Sequence, residues 1–185
     1  MASDPKQNAV GFLEEQHDAI RRMFDEVATT TGEARREAFP PLVRLLAVHE
    51  TAEEMVVYPA LRRAGDEGSQ VAAARMEEED RAKKMLADLE KIDPTSSEFD
   101  APFREVRTVV EAHAASEELE VFPLLERTTD EKLLERMTGA LQVAEGLAPT
   151  HPHKSAPEGA VGNMVIGPFV AMADRARDAI RAVMK

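Results

Sequence analysis

A short segment of this chain occurs twice, and the two copies narrow the possible folds. Residues 49–61 and 113–125 share the pattern H-x3-E-E-x3-[YF]-P-x-L. A duplicated helical hairpin of this size is a natural origin for an antiparallel four-helix bundle, in which both halves contribute equivalent groups to one central site. The repeat therefore predicts an all-α, up-down four-helix bundle.

The amino-acid composition agrees with a helical fold and excludes several classes of protein. Only 4% of the residues are aromatic, whereas residues that favour helices are abundant. The formal net charge of -12 disfavours nucleic acid and anionic membranes as partners. Because no secretion signal or membrane span is recognisable, we expect a cytoplasmic protein. The chain has no cysteine, so any metal must be held by nitrogen and oxygen.

The pattern of apolar residues and breaks divides the chain into five parts. These are a flexible lead-in (1–8), the four-helix bundle (9–127), an additional helix (128–147), a linker containing Pro, Gly and His (148–162), and a C-terminal amphipathic helix (163–185). We expect the last of these to pack on the outside of the bundle.

Turn-forming residues set the expected ends of the bundle helices. Helix 1 should end near Thr30, helix 2 at Gly65, and helix 3 before Pro94. Pro59 and Pro123 are expected to kink helices 2 and 4. Three segments have capping-box spacing and are predicted to begin the second, fourth and fifth helices: 30–33, 95–98 and 128–131.

The third helix is predicted to contribute a carboxylate to the interior. When the two halves of the chain are aligned, Glu79 takes the position of His17. Glu79 also shares an apolar stripe with Ala82 and Leu86, whereas Glu78 points away from that stripe. Glu79 is therefore the inward-facing carboxylate of this helix.

Helical spacing should bring the repeated His and Glu residues together. Side chains four residues apart lie on the same face of a helix, about 6 Å apart along its axis. Buried carboxylates without a compensating cation cost several kcal/mol each. The sequence therefore predicts a metal site with three imidazoles and three carboxylates: His17, His49, Glu53, Glu79, His113 and Glu117.

Other polar residues are interpreted without a metal. Tyr58 is expected to pack in the core, although its hydroxyl could donate a hydrogen bond at the site or act as a redox-active phenol. His151 and His153 are expected in a solvated loop, with extra ligation or a surface metal tether as the alternative. Six further carboxylates are expected on the bundle surface: Glu50, Glu54, Glu77, Glu78, Glu118 and Glu120.

The mixed donor set allows several metals. Imidazole with carboxylate suits iron, manganese or zinc, whereas calcium prefers six or more oxygens. The segment from His49 to Glu53 lacks the second His of a zinc peptidase, which disfavours hydrolysis. A ferritin-like site needs E-x-x-H on two helices, and only Glu14 with His17 has that spacing.

The combined pattern resembles the haemerythrin HHE cation-binding family. The shared features are a His on helix 1, H-x3-E on helices 2 and 4, and a ligand on helix 3. The resemblance implies two iron ions joined by an oxo or hydroxo bridge. It also implies that Glu53 and Glu117 bridge the ions and that His17, His49 and His113 are terminal ligands.

One position departs from that family pattern. Glu79 stands where the family usually has His, and Lys83 stands where a second His would follow. The added negative charge should stabilise a ferric pair and lower its reduction potential, which disfavours reversible oxygen carriage.

The expected function is a reaction with a small diatomic or peroxide ligand. We expect weak catalase- or peroxidase-like detoxification involving hydrogen peroxide, oxygen or nitric oxide. One alternative is an oxygen or iron sensor, or an iron-storage protein, without turnover. Another is a metal-free helical scaffold that binds a protein partner, which the sequence does not identify.

Overall fold

Four long helical segments and one additional helix make up the computed structural model, which describes residues 8–146 and Asp178. Within residues 8–146, no helix is both long enough and apolar enough to cross a membrane. The elements are α1 (Ala9–Thr29), α2 (Gly32–Ala52), a π-helical turn π1 (Glu53–Val57), α3 (Tyr58–Arg62), α4 (Asp66–Leu89), α5 (Asp100–Ser116), a second π-helical turn π2 (Glu117–Val121), α6 (Phe122–Thr128) and α7 (Glu131–Gly146).

These elements form the four-helix bundle that the repeat predicts. Its first and third helices are α1 and α4, the second consists of α2, π1 and α3, and the fourth consists of α5, π2 and α6. The additional helix α7 packs on α1 and α2. The predicted all-α fold is confirmed. Most of the lead-in, the linker with His151 and His153, and all of the C-terminal helix except Asp178 lie outside the described residues.

The predicted capping boxes do not form, although helices begin close to them. The hydroxyls of Thr30 and Thr128 donate to carbonyls of the preceding helices, at 2.7 and 2.6 Å, so they cannot cap the following ones. Asp130 caps α7 instead, since its carboxylate accepts the N–H of Leu133 at 2.9 Å. Asp93 holds the following residues in a turn, and α5 begins only at residue 100. Competing local hydrogen bonds therefore displaced these caps.

The apolar core consists of two clusters on either side of a polar layer. One cluster joins the start of α1 to π1, α3, α6 and α7, and includes Leu13, Leu61 and Leu125. The other joins the end of α1 to α2, α4 and α5, and includes Phe24 and Phe103. The residues between the clusters must satisfy their polar atoms without access to bulk water.

Close backbone packing between α3 and α4 depends on Gly68. A Cβ atom at this position would lie 2.0 Å from the carbonyl oxygen of Leu61 and 3.2 Å from Cβ of Ala64. We expect Gly68→Ala to reduce the free energy of unfolding by at least about 2 kcal/mol, because backbone must move to relieve the overlap. Urea unfolding would measure the loss. The exposed neighbour provides a control, since Ser69→Ala should leave stability nearly unchanged.

Candidate metal centre

Six buried side chains from the four bundle helices converge between the two core clusters. Their donor atoms form two overlapping groups, within each of which they lie within 4.8 Å of one another. None of the six residues is more than 7% exposed. The first glutamate of each repeated E-E pair, Glu53 or Glu117, belongs to both groups. The first group comprises His17, His49, Glu53 and Glu117, and the second comprises Glu53, Glu79, His113 and Glu117.

A π-helical turn begins at each of the shared glutamates. In π1 the N–H of Tyr58 donates to the carbonyl of Glu53, five residues earlier, and π2 has the same bond beginning at Glu117. A proline, Pro59 or Pro123, follows each turn. Proline has no N–H, and its ring conflicts with the carbonyl four residues earlier. A π turn accommodates both effects, so the irregularity expected at the prolines lies on their N-terminal side, at the site itself.

Each imidazole is oriented by a hydrogen bond at Nδ1. Two of the acceptors are carboxylates, which can only accept when ionised, so Nδ1 carries the proton and Nε2 presents its lone pair to the centre. An imidazole that binds metal through Nε2 needs this arrangement. The bonds are His17 to Glu118 at 2.9 Å, His49 to the side-chain oxygen of Gln16 at 2.9 Å, and His113 to Glu78 at 3.0 Å.

Several atoms that face the centre are buried without a hydrogen-bond partner among the described residues. They include Nε2 of His17 and His113, both carboxylate oxygens of Glu53, and Oε2 of Glu117. Such groups are rare in folded proteins because leaving them unpaired is costly. Their presence together in one layer indicates that this set of residues fits a bound cation.

The distances between donors also suit a shared ion. Nε2 of His17 lies 3.4 Å from Oε2 of Glu117, and Nε2 of His49 lies 3.4 Å from Oε2 of Glu53. Nε2 of His113 lies 3.5 Å from Oε1 of Glu117. Neighbouring ligands about 2.1 Å from one metal are separated by roughly 3–3.4 Å, depending on the coordination geometry. The side chains are therefore close to a binding arrangement.

The carboxylates make this layer electrostatically unfavourable without a cation. Burial, reinforced by the charges of Glu117 and Glu79, raises the pKa of Glu53 well above its usual value. Burial also raises the pKa of Glu79 to about 8, against the opposing effects of Tyr58 and Lys83. Burial would raise the pKa of Glu117 as well, but the close approach of His17 and the influence of the other two imidazoles lower that pKa to about 2. A multivalent cation would relieve the repulsion among the three groups.

Tyr58 is both a core residue and part of the polar layer. Its side chain is fully buried, and its hydroxyl donates to Glu79 and lies 2.9 Å from Oε1 of Glu117. Its counterpart in the repeat, Phe122, stacks on His17 with ring centroids 5.5 Å apart. The hydroxyl thus occurs in the half of the site that has Glu79, where a carboxylate can accept it.

Three carboxylates expected on the surface contact the site, and for Glu50, which is buried, the prediction of a surface position is wrong. Glu50 is only 5% exposed and faces Lys83, while Glu78 and Glu118 accept hydrogen bonds from the imidazoles. The repeat contains a signal for two of them. Glu78 aligns with Gln16, the other residue that holds an imidazole, and Glu118 is the second Glu of the repeated E-E pair.

A small cavity adjoins the three imidazoles. It offers about 20 Å³ to the centres of water-sized molecules, and its apolar walls include Ile20, Leu46 and Val110. Since one water needs roughly 10–15 Å³ by this measure, the cavity can hold a molecule of one or two heavy atoms.

Removing the Tyr58 hydroxyl should weaken metal binding without disrupting the core. Tyr58→Phe makes the position equivalent to Phe122 of the other half and leaves Glu79 and Glu117 without their shared donor. Loss of a hydrogen bond to a metal ligand typically costs about 10–100-fold in affinity. Competition with a chelator of known affinity would measure this change. Wild-type affinity in the variant would contradict the role assigned to the hydroxyl.

Comparison with known proteins supports this description of the fold. The haemerythrin HHE cation-binding domain family matches residues 8–125. An uncharacterised haemerythrin-like protein of Schizosaccharomyces pombe is 31% identical over 134 residues, which are 72% of this chain and 66% of the yeast protein. A DNA nickase of Nostoc is 23% identical over 75% of this chain and 39% of the nickase. The chain thus spans less than two thirds of the length of either relative.

A solved structure has the same fold. It is the crystal structure of a haemerythrin HHE cation-binding domain-containing protein from Mycobacterium kansasii, with a TM-score of 0.68 and 19% identity. The similarity covers 95% of this chain and 98% of that chain. The chain described here belongs to the haemerythrin HHE cation-binding family, and its buried His and Glu residues form a group that can bind metal.

Proposed function

We propose that this protein holds a non-haem di-iron centre that reacts with hydrogen peroxide, with oxygen or nitric oxide as further small ligands. The observation that carries the proposal is the pair of overlapping four-residue groups that share Glu53 and Glu117. Two ions held by these carboxylates and the imidazoles would use the unpartnered atoms of both groups. The mixed imidazole and carboxylate donors suit iron, which is the metal expected from the family.

The residues of this chain would hold the metal pair at defined positions. His17 and His49 would bind one ion, and Glu79 and His113 the other. The bonds at Nδ1 keep the Nε2 atoms aimed at the centre. When bound, the iron pair would supply the electron transfer that peroxide breakdown requires.

The surroundings of the site favour a small ligand. The cavity beside the imidazoles has room for one or two heavy atoms, and five of its eleven lining residues are aliphatic. Core clusters on both sides of the polar layer exclude bulk water. Hydrogen peroxide, oxygen and nitric oxide fit this space, whereas an organic substrate would not.

Iron-loaded and zinc-loaded protein would test the proposal. We expect about two iron ions per chain, absorption bands of an oxo-bridged ferric pair, and peroxide loss faster than with the same amount of free iron. Zinc suits the same donors but undergoes no redox change, so the zinc-loaded protein should leave peroxide intact. If the protein binds iron at full occupancy but removes peroxide no faster than the zinc-loaded protein, catalysis is rejected.

A second candidate is a sensor that responds to metal or oxygen without turnover. The raised pKa values of the buried Glu53 and Glu79 support it, because burial disfavours their ionised forms when no cation is bound. Metal binding would then stabilise the bundle strongly. A large metal-dependent rise in Tm with negligible turnover would support this candidate over the enzyme.

A further inference from the structure

Lys83 is a cationic side chain that contacts a predicted metal ligand directly. It lies on α4 one turn after Glu79, and its Nζ is 3.2 Å from Oε2 of Glu79. The same ammonium group donates to Glu54 and lies 3.8 Å from Oε2 of Glu50. The side chain is 26% exposed, so its charge is partly shielded from water.

The internal repeat provides a natural comparison for this lysine. Arg21 occupies the equivalent position on α1 and contacts Glu118, the counterpart of Glu54, at 2.6 Å. In that half, however, the inward residue is His17, which Glu118 separates from the guanidinium. Arg21 therefore reaches a predicted ligand only through a carboxylate, whereas Lys83 reaches Glu79 directly.

The two halves of the site also differ in charge. The group containing His17 and His49 has two neutral imidazoles besides the shared glutamates, while the other group replaces one imidazole with Glu79. The positive charge of Lys83 opposes this additional negative charge at short range. In a partly buried site such an interaction is several times stronger than in water.

Glu79 is held by donors at both of its carboxylate oxygens. Oε1 accepts the hydroxyl of Tyr58, and Oε2 accepts the ammonium of Lys83. Each oxygen retains a lone pair that can bind metal. The two donors therefore fix the rotation of the carboxylate relative to His113, which lies 4.0 Å from Oε1 of Glu79.

We propose that Lys83 is a positioning residue that orients Glu79 toward the second metal and raises the reduction potential of the iron pair. This inference rests on the proposed di-iron site, and it deepens the account of that site. The positive charge of Lys83 should partly offset the lowering of the potential that Glu79 causes.

Iron-loaded variants at positions 83 and 21 would test this role by redox titration with optical detection. Lys83→Met should lower the potential, because removing a positive charge favours the ferric state. We expect at least a tenfold smaller equilibrium constant for one-electron reduction, or about 59 mV. Lys83→Arg should retain most of the wild-type potential. The matched control, Arg21→Met, should shift the equilibrium by less than about threefold, because its charge acts through Glu118.

Three results would overturn the inference. They are a wild-type potential in Lys83→Met, an equal shift in Arg21→Met, and a Lys83→Arg variant that behaves like Lys83→Met. If Lys83→Met loses its iron or fails to fold, Lys83→Gln provides the decisive comparison. It keeps a hydrogen-bond donor without the charge, so a lowered potential supports the inference and an unchanged one rejects it.

Peroxide loss in the same samples separates this inference from the proposed function. Bound iron with a shifted potential but no peroxide loss would reject the enzyme and keep the role of Lys83. Peroxide loss with identical reduction potentials in all variants would keep the enzyme and reject the role of Lys83. A wild-type protein that binds no iron would reject both.

Discussion

Replacing His49 and His113 together with alanine is expected to abolish iron binding while the bundle stays folded. The double variant removes one imidazole from each of the two four-residue groups, and the remaining donors cannot complete either site. Iron content should fall from about two ions per chain to near zero. Both apolar clusters lie outside the polar layer and are unchanged, so the helical circular dichroism of the metal-free protein should persist.

A matched control lies seven residues before each copy of the repeat. Leu42 and Val106 are buried in the second core cluster, on the same helices as the two histidines and seven residues before them. Leu42→Ala with Val106→Ala should destabilise the bundle by several kcal/mol but leave the iron content unchanged. Full iron occupancy in the double-histidine variant would show that the metal is held elsewhere.

The sequence predicts the bundle and the convergence of the six residues because both follow from local periodicity. His and Glu four residues apart must share one face of a helix, and repeated copies on two helices must face each other if the halves are equivalent. Glu79 could be identified because it lies on an apolar stripe and aligns with His17. Periodicity and the alignment of the two halves can be read from the sequence, and neither depends on how the helices pack.

Other features depend on packing and could not be predicted in the same way. The burial of Glu50 depends on the spacing and rotation of neighbouring helices, which no local pattern specifies. Each π turn begins at an inward-facing glutamate and is followed by a proline, but the presence of these residues in a sequence does not specify a π turn. The helix caps depend on which of several nearby Thr and Asp side chains forms the more favourable hydrogen bond with the backbone. Local alternatives of this kind differ by only about 1 kcal/mol.

The stability of the metal-free protein is expected to fall between pH 6.5 and 8. The carboxyl of Glu79 has its pKa raised from 4.5 to about 8 in the folded state, so the folded protein binds more protons than the unfolded chain across this range. Stability therefore decreases as pH rises. Burial and the nearby His17 lower the pKa of His49 to about 3, which has the opposite effect, but only below pH 6.5. The stabilisation from the lowered pKa of Glu117 is already complete above pH 4.5.

Above pH 6.5 the remaining effect is the cost of ionising Glu79, and the raised pKa values of Glu53 and Glu50 act in the same direction. Between pH 6.5 and 8, a window of about 1.5 pH units, this cost should lower the free energy of unfolding by roughly 2 kcal/mol. A bound metal replaces the proton as the compensating charge, so the loaded protein should lose no stability over the same range. Urea unfolding at pH 6.5 and pH 8, with and without metal, measures both slopes. Glu79→Gln removes one of these titrating groups and should make the slope of the metal-free protein shallower. If that slope is already flat in the wild type, the three carboxylates are not held together in the folded state, and the central reason for placing a metal between them is lost.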